Sequence, residues 1–297
     1  MRFLLLGGTG QVGEEVRALA PTRNLELVAP RRPALDLQDA RSITQMIASE
    51  RWDAVINAAA YTEVDRAESE EELAFAVNAQ APAHLAAETG GRGIPLIHIS
   101  TDYVFDGRKN APYIEEDATG PINAYGRSKL AGEQAIRVNN ERHVILRTAW
   151  LFSPHGKNFV KTILRLARER DKLTVVADQR GCPTGATSVA RACLEIAVCC
   201  AAAPDHAPYG TYHFAGAGEA TWFEFASSIV ETAADRIGRR PQVVPIRTSD
   251  YPTPAARAGD TRLDSTAILG AFNVALRPWR VDLATTLDRL LGHGSRS

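Results

Sequence analysis

A short apolar run, Phe3-Leu4-Leu5-Leu6, is followed at once by Gly7, Gly8, Thr9, Gly10, Gln11, Val12 and Gly13. This junction leaves the chain few folds. The residues around the Gly-x-x-Gly-x-x-Gly spacing predict a buried strand over residues 3–6 and a helix over residues 14–20 that stops at Pro21. A strand that turns directly into a helix sets the helix amino end, with its unpaired N–H groups, at the rim of a sheet. Without Cβ atoms, Gly7, Gly10 and Gly13 let the backbone approach a pyrophosphate, and the turn is a candidate dinucleotide cradle. The spacing alone also fits a plain structural turn; its place between strand and helix carries the reading.

The pattern then repeats. Residues 25–28 predict a second strand, 42–50 a helix, and 54–56 a third strand ending in NAAAYT. Residues 70–88 predict one long helix, and 96–99 a fourth strand ending at Ser100 and Thr101. A helix carrying Tyr125 and Lys129 precedes a strand over residues 144–146. Such alternation predicts an α/β fold with a doubly wound parallel sheet of the Rossmann type. Its ligand belongs beyond the carboxyl ends of the strands, where residues 7–13, 58–62, 100–102 and 148–151 fall.

Beyond about residue 150 the alternation loosens. Helices are predicted over residues 158–169 and 188–200, with strands near 173–176 and 211–214, the latter returning to the sheet. From Trp222 come one helix, a proline-punctuated stretch and two short final helices, and the tail GHGSRS is expected to fray. The expected division is a dinucleotide-binding domain over 1–150, with roughly 170–215 returning to it. A smaller, partly discontinuous α/β substrate domain takes roughly 151–169 and 216–297.

Tyr125 and Lys129, in NAYGRSKLAGE, stand four residues apart and share one helix face. An ammonium there would favour the phenolate and draw the tyrosine pKa down from about 10. A phenol so tuned exchanges a proton in carbonyl reduction or alcohol oxidation. Thr101, in STDYVFDG, lies upstream at a predicted strand end. His98, at the same strand end, reads as structural, and Asp178-Gln179 before Gly181 and Pro183 reads as a structured turn.

Composition narrows the partners. With 34 Lys and Arg against 35 Asp and Glu the net charge is −1, and no basic block points to nucleic acid or an anionic membrane surface. No apolar run reaches the roughly 18 residues of a membrane span, and FLLL is too short for a signal-peptide core. Cys182, Cys193, Cys199 and Cys200 include no Cys-x-x-Cys pair and read as buried thiols of a cytoplasmic protein. The seven histidines lack ligand spacing, so no metal is expected.

The coenzyme type turns on the end of the second strand. An acidic residue there would hold the adenosine ribose. This chain has Ala29 and Pro30, then Arg31 and Arg32, which fit a 2′-phosphate and favour NADPH over NADH; a solvated loop is the alternative. Asp36 and Leu37 fit a place near the adenine, although Asp36 also fits a helix cap.

Taken together, GGTGQVG, INAAAYTEVDRAE, VNAQAPAHLA, STDYVFDG, YGRSKLAGE, RTAWLF, GKNFVKTILRLA, DQRGCPTGA and YPTPAAR before TRLD span the chain. In these motifs it resembles the extended short-chain dehydrogenase/reductases and, within them, the dTDP-4-dehydrorhamnose reductases. The resemblance implies NAD(P)H-dependent reduction of the 4-keto group of a dTDP-linked 4-dehydro-6-deoxy sugar, giving dTDP-L-rhamnose. It assigns Tyr125 as general acid, Lys129 to the nicotinamide ribose, and Thr101 to the substrate carbonyl. It places Gly10, Gln11, Val12, Asp36, Leu37, Ala60, Tyr61 and Thr62 in the coenzyme cradle. Asp102, Tyr103 and Trp150 go to the sugar nucleotide side, with Arg257 at its diphosphate. It also admits a homodimer.

Two departures limit the transfer. Where the family carries Arg-Pro and an asparagine-serine step, this chain has Arg257-Ala258 and Gly259-Asp260-Thr261. A loosened loop and an unhelpful aspartate near a diphosphate are the expected consequences. Some relatives hold magnesium between subunits with glutamates; Glu15 is present, but Thr187 and Ser188 stand where a second is expected, so Mg2+ is not predicted. Two alternatives stay open: reduction of a different dTDP-4-keto-6-deoxy sugar, and a non-catalytic NADP-binding regulatory subunit like that of methionine adenosyltransferase.

Overall fold

The structure, a computed structural model, describes residues 1–32 and 34–292. The tail expected to fray lies outside the described residues from position 293 onward. Strands β1 (Arg2–Leu6), β2 (Glu26–Val28), β3 (Ala54–Asn57), β4 (Leu96–Thr101) and β5 (His143–Thr148) join Gly210–His213 in one six-stranded sheet. Its order is Gly210–His213, β5, β4, β3, β1, β2, and every pairing is parallel. The return of the chain near residue 211 thus follows expectation.

Apolar alternation explains the two helical layers. Phe3 and Leu5 point to one face, packing with Ile56, Ile97 and Leu146 against Val12, Val16, Val189, Cys193 and Ile196 of the helices Gln11–Leu19 and Ala186–Ala202. Leu4 and Leu6 point to the other, with Val55, Leu96 and Ile145 against Ile43, Ile47, Leu85 and Ile136. Period-two burial on both faces is what a central parallel strand requires. All four cysteines are free, with Cys182, Cys193 and Cys200 buried and Cys199 partly so.

Three details differ from expectation. The helix over 70–88 is interrupted: Glu71–Phe75 passes through a π-helical turn, Ala76–Gln80, into Ala81–Gly90. The widened turn presents Asn78, whose amide bonds the Tyr61 N–H (2.8 Å), the Tyr61 carbonyl (3.0 Å) and Ser128 Oγ (3.0 Å). Lys172–Val176 does not join the large sheet but pairs in parallel with Gln242–Ile246, a strand inside the proline-punctuated stretch. The second core, with Phe152, Ile163, Leu173, Phe225, Ile229 and Leu283, gathers under that pair. The sequence hid it because Pro241 and Pro245 read as loop signals, whereas Pro245 sits in a strand with only one partner, where a missing N–H is tolerated.

Candidate active site

The sheet order reverses at β1, and the loops after β1 and β3 meet at that switch point. Gly7 has φ +78°, and a Cβ there would lie 2.5 Å from the Ala59 nitrogen; a Cβ on Gly13 would lie 2.1 Å from the Gly7 carbonyl oxygen. The turn therefore admits only glycine at both places. Gly10 N-caps the helix Gln11–Leu19 with no side chain on its first N–H groups, which leaves an amino end suited to an anion. Glycine-bounded backbone, an uncapped amino end and a switch-point crevice together fit a dinucleotide.

A cleft of about 1000 Å³ opens over this rim. Of the residues singled out by sequence, Gly10, Gln11, Val12, Ala60, Thr62, Thr101, Asp102, Tyr103, Tyr125, Lys129, Trp150 and Arg257 line it. Gly7 and Gly13 shape the turn from beneath. Tyr61 lies aside, its hydroxyl donating to Glu70 Oε2 at 2.6 Å and its side chain packed on the small cluster of Ala67, Ala74, Ala124 and Tyr125. Arg31, Asp36 and Leu37 are not in the cleft wall; Asp36 accepts from the Gln38 N–H and stands 3.7 Å from Arg32.

The proton-transfer group is built on the helix Ala124–Asn139. Asn123 caps it, accepting from the Gly126 N–H at 2.8 Å, and its amide donates to the Ala256 carbonyl at 2.8 Å. That cap fixes Tyr125 in the first turn and Lys129 one turn on. The expected pull of Lys129 on the Tyr125 phenol is not what the geometry gives. Lys129 Nζ instead donates to the Ile99 carbonyl at 2.7 Å and faces His98 Nε2 at 3.2 Å. Burial raises the Tyr125 pKa, a hydrogen bond with Thr101 opposing in part, so the phenol stays protonated. Burial likewise lowers Lys129 to about 8, with Glu133 pulling the other way.

Thr101, at the end of β4, accepts from the Tyr103 N–H and donates to Asp102 Oδ1 at 3.0 Å. Thr261 Oγ1 donates to Asp102 Oδ2 at 2.6 Å. Asp102 is almost wholly buried, which pushes its carboxyl up to about 6 against these hydrogen bonds. Opposite Thr101 in register stands Thr148, whose buried hydroxyl lines the cleft with no partner among the described residues.

The far wall is aromatic. Trp150 has φ +46° and lies flat on Trp222, ring centres 3.5 Å apart. Gly181 makes room: a Cβ there would lie 2.4 Å from the indole. Gln179, expected only as part of a turn, accepts from Trp222 Nε1 at 3.2 Å and lines the cleft. Thr148 falls in the rim loop 148–151 expected from sequence, whereas sequence reasoning missed Trp222, Gln179 and Thr261, which reach the site from separate elements. Only Gln179, beside DQRGCPTG, carried a local signal.

The altered loop behaves differently from expectation. Asp260 pairs with Arg262, at 2.7 Å to Nη2, and is absent from the cleft wall. Backbone bonds from Arg180 N to the Gly259 carbonyl (2.8 Å) and from Thr261 N to the Arg180 carbonyl (2.9 Å) hold the loop without proline. Glu15 is buried and accepts from Thr187 Oγ1 (2.9 Å) and Arg289 Nη1 (2.6 Å), with His155 Nε2 at 3.2 Å.

Comparison with known proteins agrees with this construction. The RmlD substrate binding domain family matches residues 1–291. A dTDP-4-dehydrorhamnose reductase of Sinorhizobium fredii is 43% identical over 294 residues, covering 99% of each chain. The crystal structure of a dTDP-4-dehydrorhamnose reductase from Clostridium acetobutylicum matches with a TM-score of 0.89 at 34% identity, over 98% of this chain and 99% of that one. Its counterpart from Bacillus anthracis, in complex with NADP, matches with a TM-score of 0.89 at 32% identity, over 97% and 99%. With a glycine turn, a buried Tyr-Lys pair and full-length similarity in hand, the chain belongs to the dTDP-4-dehydrorhamnose reductase family.

Proposed function

We propose that the protein reduces the 4-keto group of dTDP-4-dehydro-L-rhamnose to give dTDP-L-rhamnose, using NADPH or NADH. One observation carries this reading: Thr101, Tyr125 and Lys129 lie on the wall of a single cleft, between the glycine turn and the side bearing Trp150 and Arg257. A purely regulatory binder has no use for that proton-transfer set.

A bound reduced nicotinamide supplies hydride to the carbonyl carbon. Tyr125, kept protonated by burial, donates its proton to the keto oxygen. Thr101, on turning its hydroxyl from Asp102, hydrogen-bonds the same oxygen as charge develops there. Lys129 holds the nicotinamide ribose hydroxyls. Gly10, Gln11 and Val12 hold the pyrophosphate, and Ala60 and Thr62 line the ribose side, with Tyr61 between them turned to Glu70 and Asp36 and Leu37 outside the cleft wall. Asp102, Tyr103 and Trp150 orient the sugar nucleotide, Arg257 meets its diphosphate, and the segments around 150–176 and 216–292 form the substrate side.

NADPH is the preferred coenzyme in this reading. Its support is the exposed Arg31 and Arg32 after β2, together with the NADP bound by the Bacillus anthracis relative. Catalytic efficiency with NADPH against NADH tests it, and a clear preference for NADH removes the arginine argument. The main test supplies enzymatically made dTDP-4-dehydro-L-rhamnose with NADPH, follows reduced-nicotinamide absorbance and identifies the product. Absence of turnover overturns the proposal, while turnover of another 4-keto sugar alone reassigns the substrate.

A further inference from the structure

Behind Lys129, away from the cleft, Asn57, His98 and Lys129 form one line sealed from solvent, with exposures of 3%, 0% and 1%. Asn57 on β3 and His98 on β4 are register partners, so the sheet itself brings them together. Asn57 Oδ1 accepts from the Ala59 N–H at 3.1 Å, which turns the amide nitrogen toward His98 Nδ1 at 3.0 Å. An amide nitrogen only donates, so Nδ1 accepts and a neutral imidazole carries its hydrogen on Nε2. Burial holds His98 well below its ordinary pKa, hence neutral.

That hydrogen points at Lys129 Nζ, 3.2 Å away. An ammonium has three hydrogens and no lone pair, so it would set two donors face to face in a buried place. An amine accepts from Nε2–H and still donates to the Ile99 carbonyl. Turning the Asn57 amide over only moves the conflict to the Ala59 N–H. We infer that His98, held in its Nε2–H tautomer by Asn57, donates to Lys129 and stabilises the amine form of this lysine. His98 and Asn57 are thus positioning residues that set when Lys129 carries charge.

The surroundings leave this control to His98. On its own helix Lys129 faces the protonated Tyr125 and Glu133, and Glu133 is already paired with Arg147 of β5 and with Arg137. β4 contributes His98, β3 only the uncharged Asn57, and the segment after β4 Asp102, whose carboxyl burial pushes up to about 6. The lowered Lys129 pKa agrees with an amine within reach near neutral pH. The consequence for catalysis rests on the role given to Lys129 above: the charge it presents to the nicotinamide ribose switches over the working pH range.

Asn57→Asp tests the tautomer. A carboxylate accepts from both the Ala59 N–H and His98 Nδ1–H, freeing Nε2 to accept from an ammonium. In protein labelled with 15N in its imidazole rings, NMR should find Nε2–H at His98 in the natural chain and Nδ1–H in N57D. The Lys129 titration, followed by 13Cε NMR, should move up by about one unit or more in N57D. Nδ1–H in the natural chain overturns the inference, and that result needs no variant to fold. A moved titration with an unchanged tautomer overturns it too, being only the effect of an added charge. Neither readout needs substrate, so failure of the proposed reductase activity would leave this result standing on its own.

Discussion

Arg257 grips Asp65 at two points, Nη1 to Oδ1 and Nη2 to Oδ2, each at 2.9 Å. The arginine that faces the cleft is therefore already paired, and the pair holds the Asp65 carboxyl below its usual range. A diphosphate must compete with Asp65 for it. Arg257→Ala should raise KM for the dTDP sugar about 10- to 100-fold, the worth of a lost charge-assisted contact. Asp65→Asn, which keeps an acceptor for the Ala255 N–H, should lower KM. Steady-state kinetics with both variants check the pair; an unchanged KM in R257A removes Arg257 from the diphosphate site.

Removing the phenolic hydroxyl should stop proton delivery without disturbing the cradle. Tyr125→Phe is expected to lose about 10²- to 10⁴-fold in turnover. NADPH affinity, read from nucleotide fluorescence, should stay near that of the natural chain. Wild-type turnover in Y125F would eliminate the proton role.

At the glycine turn the test is steric. A Gly13→Ala methyl would fall 2.1 Å from the Gly7 carbonyl oxygen and 2.7 Å from Gly8 Cα, both backbone atoms that cannot step aside. G13A should destabilise the fold by about 1–3 kcal/mol and weaken coenzyme binding together. Thermal unfolding and nucleotide titration measure the two, and an unchanged nucleotide affinity would count against the cradle.

Asp102 gives a pH signature. Its folded-state pKa, about 6, lies above the ordinary carboxyl value of 3.8, so the folded protein binds this proton more tightly. The associated stability is present below about pH 4 and is lost as pH rises through about 6. Relative to Asp102→Asn, the natural chain should therefore lose up to about 3 kcal/mol between these limits, at 1.36 kcal/mol per unit. Denaturant unfolding at several pH values reads the difference. Parallel profiles for the two proteins would contradict a buried, up-shifted carboxyl.

Local signals made the near side of the cleft legible. Gly7, Gly10 and Gly13 declare themselves by spacing, and Tyr125 with Lys129 by helical periodicity beside Thr101. The far side was not legible. Trp150 and Trp222 meet only because Gly181 clears a space, and Gln179 reaches Trp222 across 43 residues. The strand Gln242–Ile246 was masked by its prolines, which an unpaired edge accepts.

What the sequence by itself determined is the sheet with its glycine turn and the chemical type of the reacting groups. These follow from alternation, missing Cβ atoms and residue identity, all read within a few positions of one another. Only the tertiary structure decided the charge state of those groups. Lys129 faces His98 rather than the Tyr125 hydroxyl, and Asp260 turns to Arg262 rather than the cleft. Protonation depends on burial and on partners brought in from other strands, such as Asn57 across from His98. Spacing along the chain carries no record of such partners.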